Sequence, residues 1–184
     1  MGIKKIVVIG PESTGKSTLC RQLAEHYNSF WVTEYAREYL IANGKDYTFE
    51  TLYTIAEGQI KNEEAGTHCE SGRGSQSLFI DTDLYVIKVW SEFVFNKCDN
   101  RILSQIATRK YDLYLLCNTD LPWEKDELRE YPDLETREKL FHHYKDVMVN
   151  QYVPWAEISG GYGNRLALAI QIVDQLINEQ AATI

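Results

Sequence analysis

Gly10-Pro11-Glu12-Ser13-Thr14-Gly15-Lys16-Ser17 is the stretch whose reading decides the fold. It fits the phosphate-binding pattern G-x-x-x-x-G-K-S/T at every fixed position. Glycines permit backbone geometry that aims successive N–H groups at one anion. A helix starting at the end of the stretch adds its positive pole. In such a loop the lysine, here Lys16, reaches the β- and γ-phosphates, and the hydroxyl, here Ser17, is offered to Mg²⁺. The pattern carries weight only between a strand and a helix, and both are written on either side of it. Residues 4–9 (KKIVVI) form a β-branched run stopped by Gly10. From Ser17 to Tyr27, Leu19, Leu23, Ala24 and Tyr27 recur on one helical face.

Outward from this unit, strand-like and helix-like stretches alternate. Strands are expected at 30–33, 78–81, 112–117 and 156–159, and helices at 34–42, 49–65, after Asp83, at 99–109, at 135–151 and after Gly163. Residues 66–77 (GTHCESGRGSQS) carry three glycines and three serines and read as a loop. Strands separated by helices pair in parallel with helices on both faces. The expected architecture is one α/β domain over residues 1–184, a three-layer P-loop NTPase fold on a parallel sheet of about five strands.

Composition narrows the function classes. A chain of 184 residues, 44% hydrophobic and 25% charged, buries a core, which excludes a disordered or disulfide-stapled chain. Acidic residues outnumber basic ones 27 to 19, a net charge of -8 that disfavours wrapping a nucleic acid. The apolar run at 6–9 is too short for a signal peptide or a membrane span, and no other run approaches the length needed. Cys20, Cys69, Cys98 and Cys117 form no C-x-x-C pair, as expected of reduced thiols in the cytoplasm, and the histidines show no zinc-ligand spacing. The expected partner is a small molecule, with no nucleic acid and no membrane.

The remaining candidates are polar residues near strand ends. Asp81 closes the apolar run LFID, where an aspartate holds Mg²⁺ or takes a proton from an attacking hydroxyl. Asp83, two residues on, reads either as a second carboxylate of that site or as a helix cap. Glu34 ends the second strand and suits a substrate hydroxyl or a general base. Arg37 lies one turn on, where it reads as a partner of the site or as a surface ion pair with Glu34. The polar stretch 118–137 suits a mobile lid that brings positive charge to a transferring phosphoryl group, with Arg129 the first candidate and Arg137 the second. Trp90 and Trp123 are the aromatic candidates for stacking a ring substrate. Trp90 lies on an apolar helix face where core packing is the alternative. Gly160-Gly161-Tyr162-Gly163-Asn164-Arg165 follows the last strand, a place where P-loop folds pass the adenine base.

GPESTGKSTL (10–19), WVTEYAREYL (31–40), IAEGQ (55–59), LFIDTD (78–83) followed by Trp90, and YDLYLL with DLPWEKDELRE (111–130) together resemble the ribosylnicotinamide kinase domain of NadR-type NAD-salvage proteins, in the P-loop kinase superfamily. These blocks run in order over most of the chain. The resemblance implies phosphorylation of the ribose 5′-hydroxyl of nicotinamide riboside by ATP with Mg²⁺, giving nicotinamide mononucleotide. It implies ATP binding by Gly10, Pro11, Glu12, Ser13, Thr14, Gly15, Lys16, Ser17 and Thr18. It puts Asp81 and Asp83 at the metal and the substrate hydroxyl, Glu34 and Arg37 on the substrate side, Trp90 and Trp123 at the pyridinium ring, and Arg129 in the lid. Glu127 departs from the family pattern, where glycine stands. No H-x-G-H-like motif is present in these residues, so adenylyl transfer is not expected of this chain, and neither is the DNA-binding domain that some members carry. A nucleoside or thiamine as the substrate, or an NTP-hydrolysing switch that binds a partner protein, are the readings that compete with this one.

Overall fold

The computed structural model describes residues 2–73 and 76–181. The elements in chain order are β1 (Lys4–Ile9), α1 (Lys16–His26), β2 (Trp31–Val32), α2 (Tyr35–Asn43), α3 (Phe49–Arg73), β3 (Ser77–Asp81), α4 (Leu84–Phe95), α5 (Asn100–Thr108), β4 (Leu113–Cys117), α6 (Leu134–Val149), β5 (Trp155–Ile158) and α7 (Tyr162–Ala181). The strands form one sheet in the order β2-β3-β1-β4-β5, and every pairing is parallel. The register sets Val8 beside Asp81 and Ile9 beside Leu116, so the ends of β1, β3 and β4 open together on one edge. Ligands of open parallel sheets gather at that edge.

Alternation along the central strands explains the three layers. Ile6, Val8, Phe79, Leu115 and Cys117 face one side, where Leu19 and Leu23 of α1 and Ala169 and Val173 of α7 cover them. Val7, Ile9, Leu78, Ile80, Tyr114 and Leu116 face the other side, against Val89 of α4 and Leu140, Tyr144 and Met148 of α6. Burying apolar side chains on both faces is why these strands read as unbroken hydrophobic runs. A third cluster joins Leu52, Ile55 and Ala56 of α3 to Leu84 and Ile87 of α4 and Ile102 of α5, and it walls the site on the outer side.

One expectation fails. Residues 66–73 are not a loop, because α3 continues through Arg73. Composition misled here because its glycines and hydroxyls do other work. A Cβ on Gly66 would lie 2.8 Å from Val32 Cγ2, so that glycine lets the helix pack on β2. Thr67 and Ser71 turn their hydroxyls back onto the carbonyls of Glu63 and Thr67, at 2.8 and 2.9 Å, which satisfies them inside the helix. Of the rest of the expected loop, residues 74–75 lie outside the described residues, and Ser77 begins β3. Other boundaries move by only one or two residues. Among the described residues no helix is long and apolar enough to cross a membrane.

Candidate active site

The loop between β1 and α1 is shaped by contacts that only its residues allow. Gly10 has φ 139°, and a Cβ there would lie 2.6 Å from the Cys117 carbonyl oxygen, so glycine alone lets the chain leave β1 against β4. Gly15 has φ 76° and stands just before Lys16, the first residue of α1. The Thr14 hydroxyl and the Lys16 ammonium both donate to the Pro11 carbonyl at 2.8 Å. Arg165, 2% exposed, pins the loop from the far end of the chain. Its guanidinium donates to the carbonyls of Thr14 (3.0 Å), Asn118 (2.9 Å) and Gly160 (2.6 Å), and it pairs with the Asp120 carboxylate.

Asp81 ends β3 and is buried, with the Ser17 hydroxyl beside its carboxyl. Burial pushes this carboxyl upward and the charge of Glu34 pushes it further, while Lys16 and the nearby Ser17 hydroxyl pull it back. Asp81 Oδ1 has no hydrogen-bond partner among the described residues. A buried, unpartnered carboxylate oxygen beside a hydroxyl is a hard-oxygen pair that fits Mg²⁺. No group of three or more His, Cys, Asp or Glu side chains gathers for a metal among the described residues. Few protein donors are what Mg²⁺ needs when phosphate and water oxygens complete its shell.

Asp83 faces elsewhere. Its carboxylate caps α4 by accepting from Tyr85 N (3.0 Å) and accepts from the Tyr114 hydroxyl (2.7 Å), and burial pushes it up to about 7. Thr82 between the two aspartates has φ 69°, which reverses the chain and turns Asp83 inward while Thr82 itself reaches the cavity wall.

One cavity of about 420 Å³ is bounded by residues 10–18, by Glu34 and Arg37, and by an aromatic and aliphatic wall from α3, α4 and α6. Trp90 on this wall donates its indole N–H to the Tyr47 hydroxyl at 2.9 Å, and Tyr47 donates in turn to Glu130 at 3.3 Å. The ring of Tyr131 meets Trp90 edge to face at 5.6 Å. Leu52, Ile55, Val86 and Ile87 supply the apolar floor, and Glu124, Asp126 and Glu130 give an acidic rim.

Residues 118–133 cross the mouth of the loop and are tied to it. The Glu12 carboxylate accepts from the backbone N–H groups of Glu130 (3.0 Å) and Tyr131 (3.3 Å). The Ser13 hydroxyl accepts from Glu124 N at 2.9 Å and from Arg129 at 3.3 Å, and Arg129 also donates to the Glu124 carbonyl. Arg37 grips Asp126 with both guanidinium nitrogens, at 3.1 and 2.7 Å, which holds the Asp126 carboxyl down at about 2. Arg137 on α6, 3% exposed, donates to the carbonyls of Ser13 (3.2 Å) and Leu121 (3.3 Å). Its Nε has no partner among the described residues, and burial next to Arg129 lowers its pKa.

The structure thus brings residues 10–18, Glu34, Arg37, Trp90 and Arg129 onto one wall, with Asp81 behind Ser17. Trp123 stays off that wall, its ring 5.8 Å from the Arg129 guanidinium and 5.7 Å from that of Arg137. Arg37 pairs with Asp126 and not with Glu34. Tyr162 of the 160–165 turn lines the cavity and donates to Glu124 at 3.3 Å. Sequence reasoning gave no role to Tyr47, Gln59, Glu130, Tyr144 or Arg165. Of these, Gln59, Glu130 and Arg165 lie inside the sequence motifs IAEGQ, DLPWEKDELRE and GGYGNR.

The comparisons with known proteins agree with this geometry. The chain is similar to the trifunctional NAD biosynthesis/regulator protein NadR of Escherichia coli (strain K12), 22% identical over 183 residues, which cover 97% of this chain and 44% of NadR. The chain therefore spans less than half the length of that relative. Among solved structures, a NadR protein in complex with NR superposes with a TM-score of 0.79 at 24% identity, over 95% of this chain and 49% of that one. Thymidylate kinase from Ehrlichia chaffeensis gives a TM-score of 0.68 at 14% identity, over 94% of this chain and 100% of that one. The fold is the one P-loop kinases use. Residues 5–165 match the family described as "AAA domain", and the chain belongs to that family.

Proposed function

We propose that residues 1–184 act as one P-loop kinase domain that transfers the γ-phosphoryl group of ATP to the ribose 5′-hydroxyl of nicotinamide riboside, giving nicotinamide mononucleotide. The observation that carries this reading is the single cavity shared by the phosphate loop, Glu34 and an aromatic wall with an acidic rim. An acidic rim attracts a cationic ring, and an indole adds a cation–π attraction of about 0.5–2 kcal/mol. The pyridinium of nicotinamide riboside is such a ring. Similarity to NadR over most of the chain supports the same choice.

In this reading residues 10–18 bind ATP, with Lys16 on the β- and γ-phosphates. Ser17 and Asp81 would hold Mg²⁺, which neutralises phosphate charge when bound. Glu34 accepts the proton of the 5′-hydroxyl as its oxygen bonds to the γ-phosphorus and the bond to ADP breaks. The unpartnered Oδ1 of Asp81 suits it to the cation, and Asp83 is committed to Tyr114 and the cap, which leaves Glu34 as the free carboxylate on the wall. Arg129 counters the charge that builds on the phosphoryl oxygens. Arg37 holds the lid segment through Asp126 beside the substrate, and Trp90 with Tyr47 receives the ring. Trp123 orients the two arginines it touches.

The test is ADP release with Mg²⁺-ATP against nicotinamide riboside, other nucleosides and thiamine, with Lys16→Ala as control. Saturable turnover with nicotinamide riboside alone, lost in the control, is the expected result. Turnover with another compound keeps the mechanism and overturns the substrate. ATP binding with no stimulation by any of them overturns the kinase in favour of a nucleotide switch.

A further inference from the structure

Gln59 is 2% exposed in the middle of α3, and it reaches the cavity wall. Both ends of its amide are used. Oε1 accepts from the backbone N–H of Tyr35 at 2.8 Å, and Nε2 donates to the Thr82 carbonyl at 3.1 Å. The first partner can only donate and the second can only accept, so the orientation of the amide is fixed by its neighbours. The peptide that joins Glu34 to Tyr35 is held at one end, and the peptide that joins Thr82 to Asp83 at the other.

Two further observations show that this bridge holds something under constraint. Thr82 has φ 69°, a left-handed conformation that a β-branched residue adopts only when its surroundings impose it. Besides Gln59, the Thr82 backbone is tied by its N–H to the Val8 carbonyl at 3.1 Å. Next to Gln59, a Cβ on Gly58 would lie 1.9 Å from Tyr35 Cε1, so glycine there lets the ring of Tyr35, the first residue of α2, lie directly on the backbone of α3. The Gln59 side chain therefore spans between the start of α2, seated on α3 through Tyr35, and the β3–α4 turn.

We propose that Gln59 is a positioning residue that holds Glu34 and Asp81 in register across the acceptor end of the cavity. This rests on the reading that these two carboxylates serve phosphoryl transfer. The hydrogen bonds of Gln59 go to Tyr35 and Thr82 and to no residue of the phosphate loop. Its loss misplaces the acceptor hydroxyl and its base relative to Asp81 while leaving ATP affinity in place. Misplacement of about 1 Å costs on the order of a hundredfold in rate.

The test compares Gln59→Leu, which removes both bonds, with Gln59→Glu, which keeps the shape and an acceptor for Tyr35 but sets a carboxylate oxygen against the Thr82 carbonyl. Both are expected to lower acceptor-dependent kcat by roughly tenfold to a hundredfold while the KM for ATP moves by less than about twofold. In amide NMR spectra the shifts are expected to concentrate at Tyr35 and Asp83, the N–H groups of the two bridged peptides. A variant with kcat within about twofold of wild type overturns the proposal, and so does a parallel loss of ATP and acceptor affinity, which marks a packing role. If Gln59→Leu does not fold, Gln59→Glu decides by the same thresholds. A wild type without acceptor-stimulated turnover sinks the kinase reading separately. The NMR arm then decides the bridge, and unchanged Tyr35 and Asp83 signals overturn it.

Discussion

The two ends of the cavity are built by opposite means. The phosphate end comes from one unbroken stretch, residues 10–18, and its shape is a matter of backbone: two glycines at positive φ and hydroxyl and ammonium bonds to the Pro11 carbonyl. The end proposed for the acceptor is gathered from Glu34, Tyr47, Ile55, Trp90 and Glu130, which belong to five separate segments, and its shape is a matter of side chains. A backbone cradle suits a ligand that never changes, because phosphate looks the same on every nucleotide. A side-chain wall suits a ligand that distinguishes one enzyme from the next, because each position can be exchanged without moving the strand ends.

Changes at the phosphate end are therefore expected to abolish turnover, and changes at the acceptor end to redirect or weaken it. The largest effect is expected for Lys16→Ala, a loss of kcat on the order of a thousandfold or more, with the protein still folded by circular dichroism. Glu34→Gln is next, with kcat down roughly a hundredfold and ATP affinity unchanged by calorimetry. Equal losses in both variants' ATP affinity would erase the distinction between the two ends. Trp90→Leu is expected to raise the acceptor KM about fivefold to thirtyfold with little change in kcat, and the rise should be larger for a cationic ring than for a neutral nucleoside.

Asp83 sharpens the comparison from behind the wall. Its folded pKa of about 7 stands above the ordinary 3.8, so the folded state holds this proton more tightly than the unfolded chain does. The stability it contributes is complete below about pH 4 and is lost as the pH rises through about 7. In metal-free buffer the Tm of the wild type should fall relative to that of Asp83→Asn between pH 5 and about pH 8. A constant difference across that range would mean that Asp83 is charged at no cost. The smallest effect is expected for Arg37→Ala. Its pair with Asp126 is half exposed, worth about 0.2–1 kcal/mol, so turnover should change by only a few fold and less at high salt.

The same contrast explains what was legible in the sequence. The loop at 10–17 is local, so its spacing announced it, and the strands on either side followed from unbroken apolar runs that parallel sheets require. Asp81 was legible because a carboxylate ending such a run has few structural reasons to be there. The inward turn of Asp83 was not, since it depends on the left-handed Thr82 and on Tyr114 from a different strand. The pair Arg37–Asp126 spans 89 positions, and nothing in either neighbourhood signals the other. Residues 66–73 misled because glycine and serine were read as turn formers, when Gly66 serves close packing and Ser71 bonds back within the helix. Gln59 was quoted within a motif, yet a buried amide earns a role only when its two partners are known.

Arg165 gives the phosphate loop an order in time. On a ribosome the loop emerges well before α7, yet its Thr14 carbonyl is held by a guanidinium 151 positions later. A nascent chain stalled before α7 would carry the whole phosphate-binding motif without that support, alongside Ala169 and Val173 still missing from the core. The loop is thus made well before the residue that finishes it, and in the proposed reading nucleotide capture becomes a report that α7 has arrived.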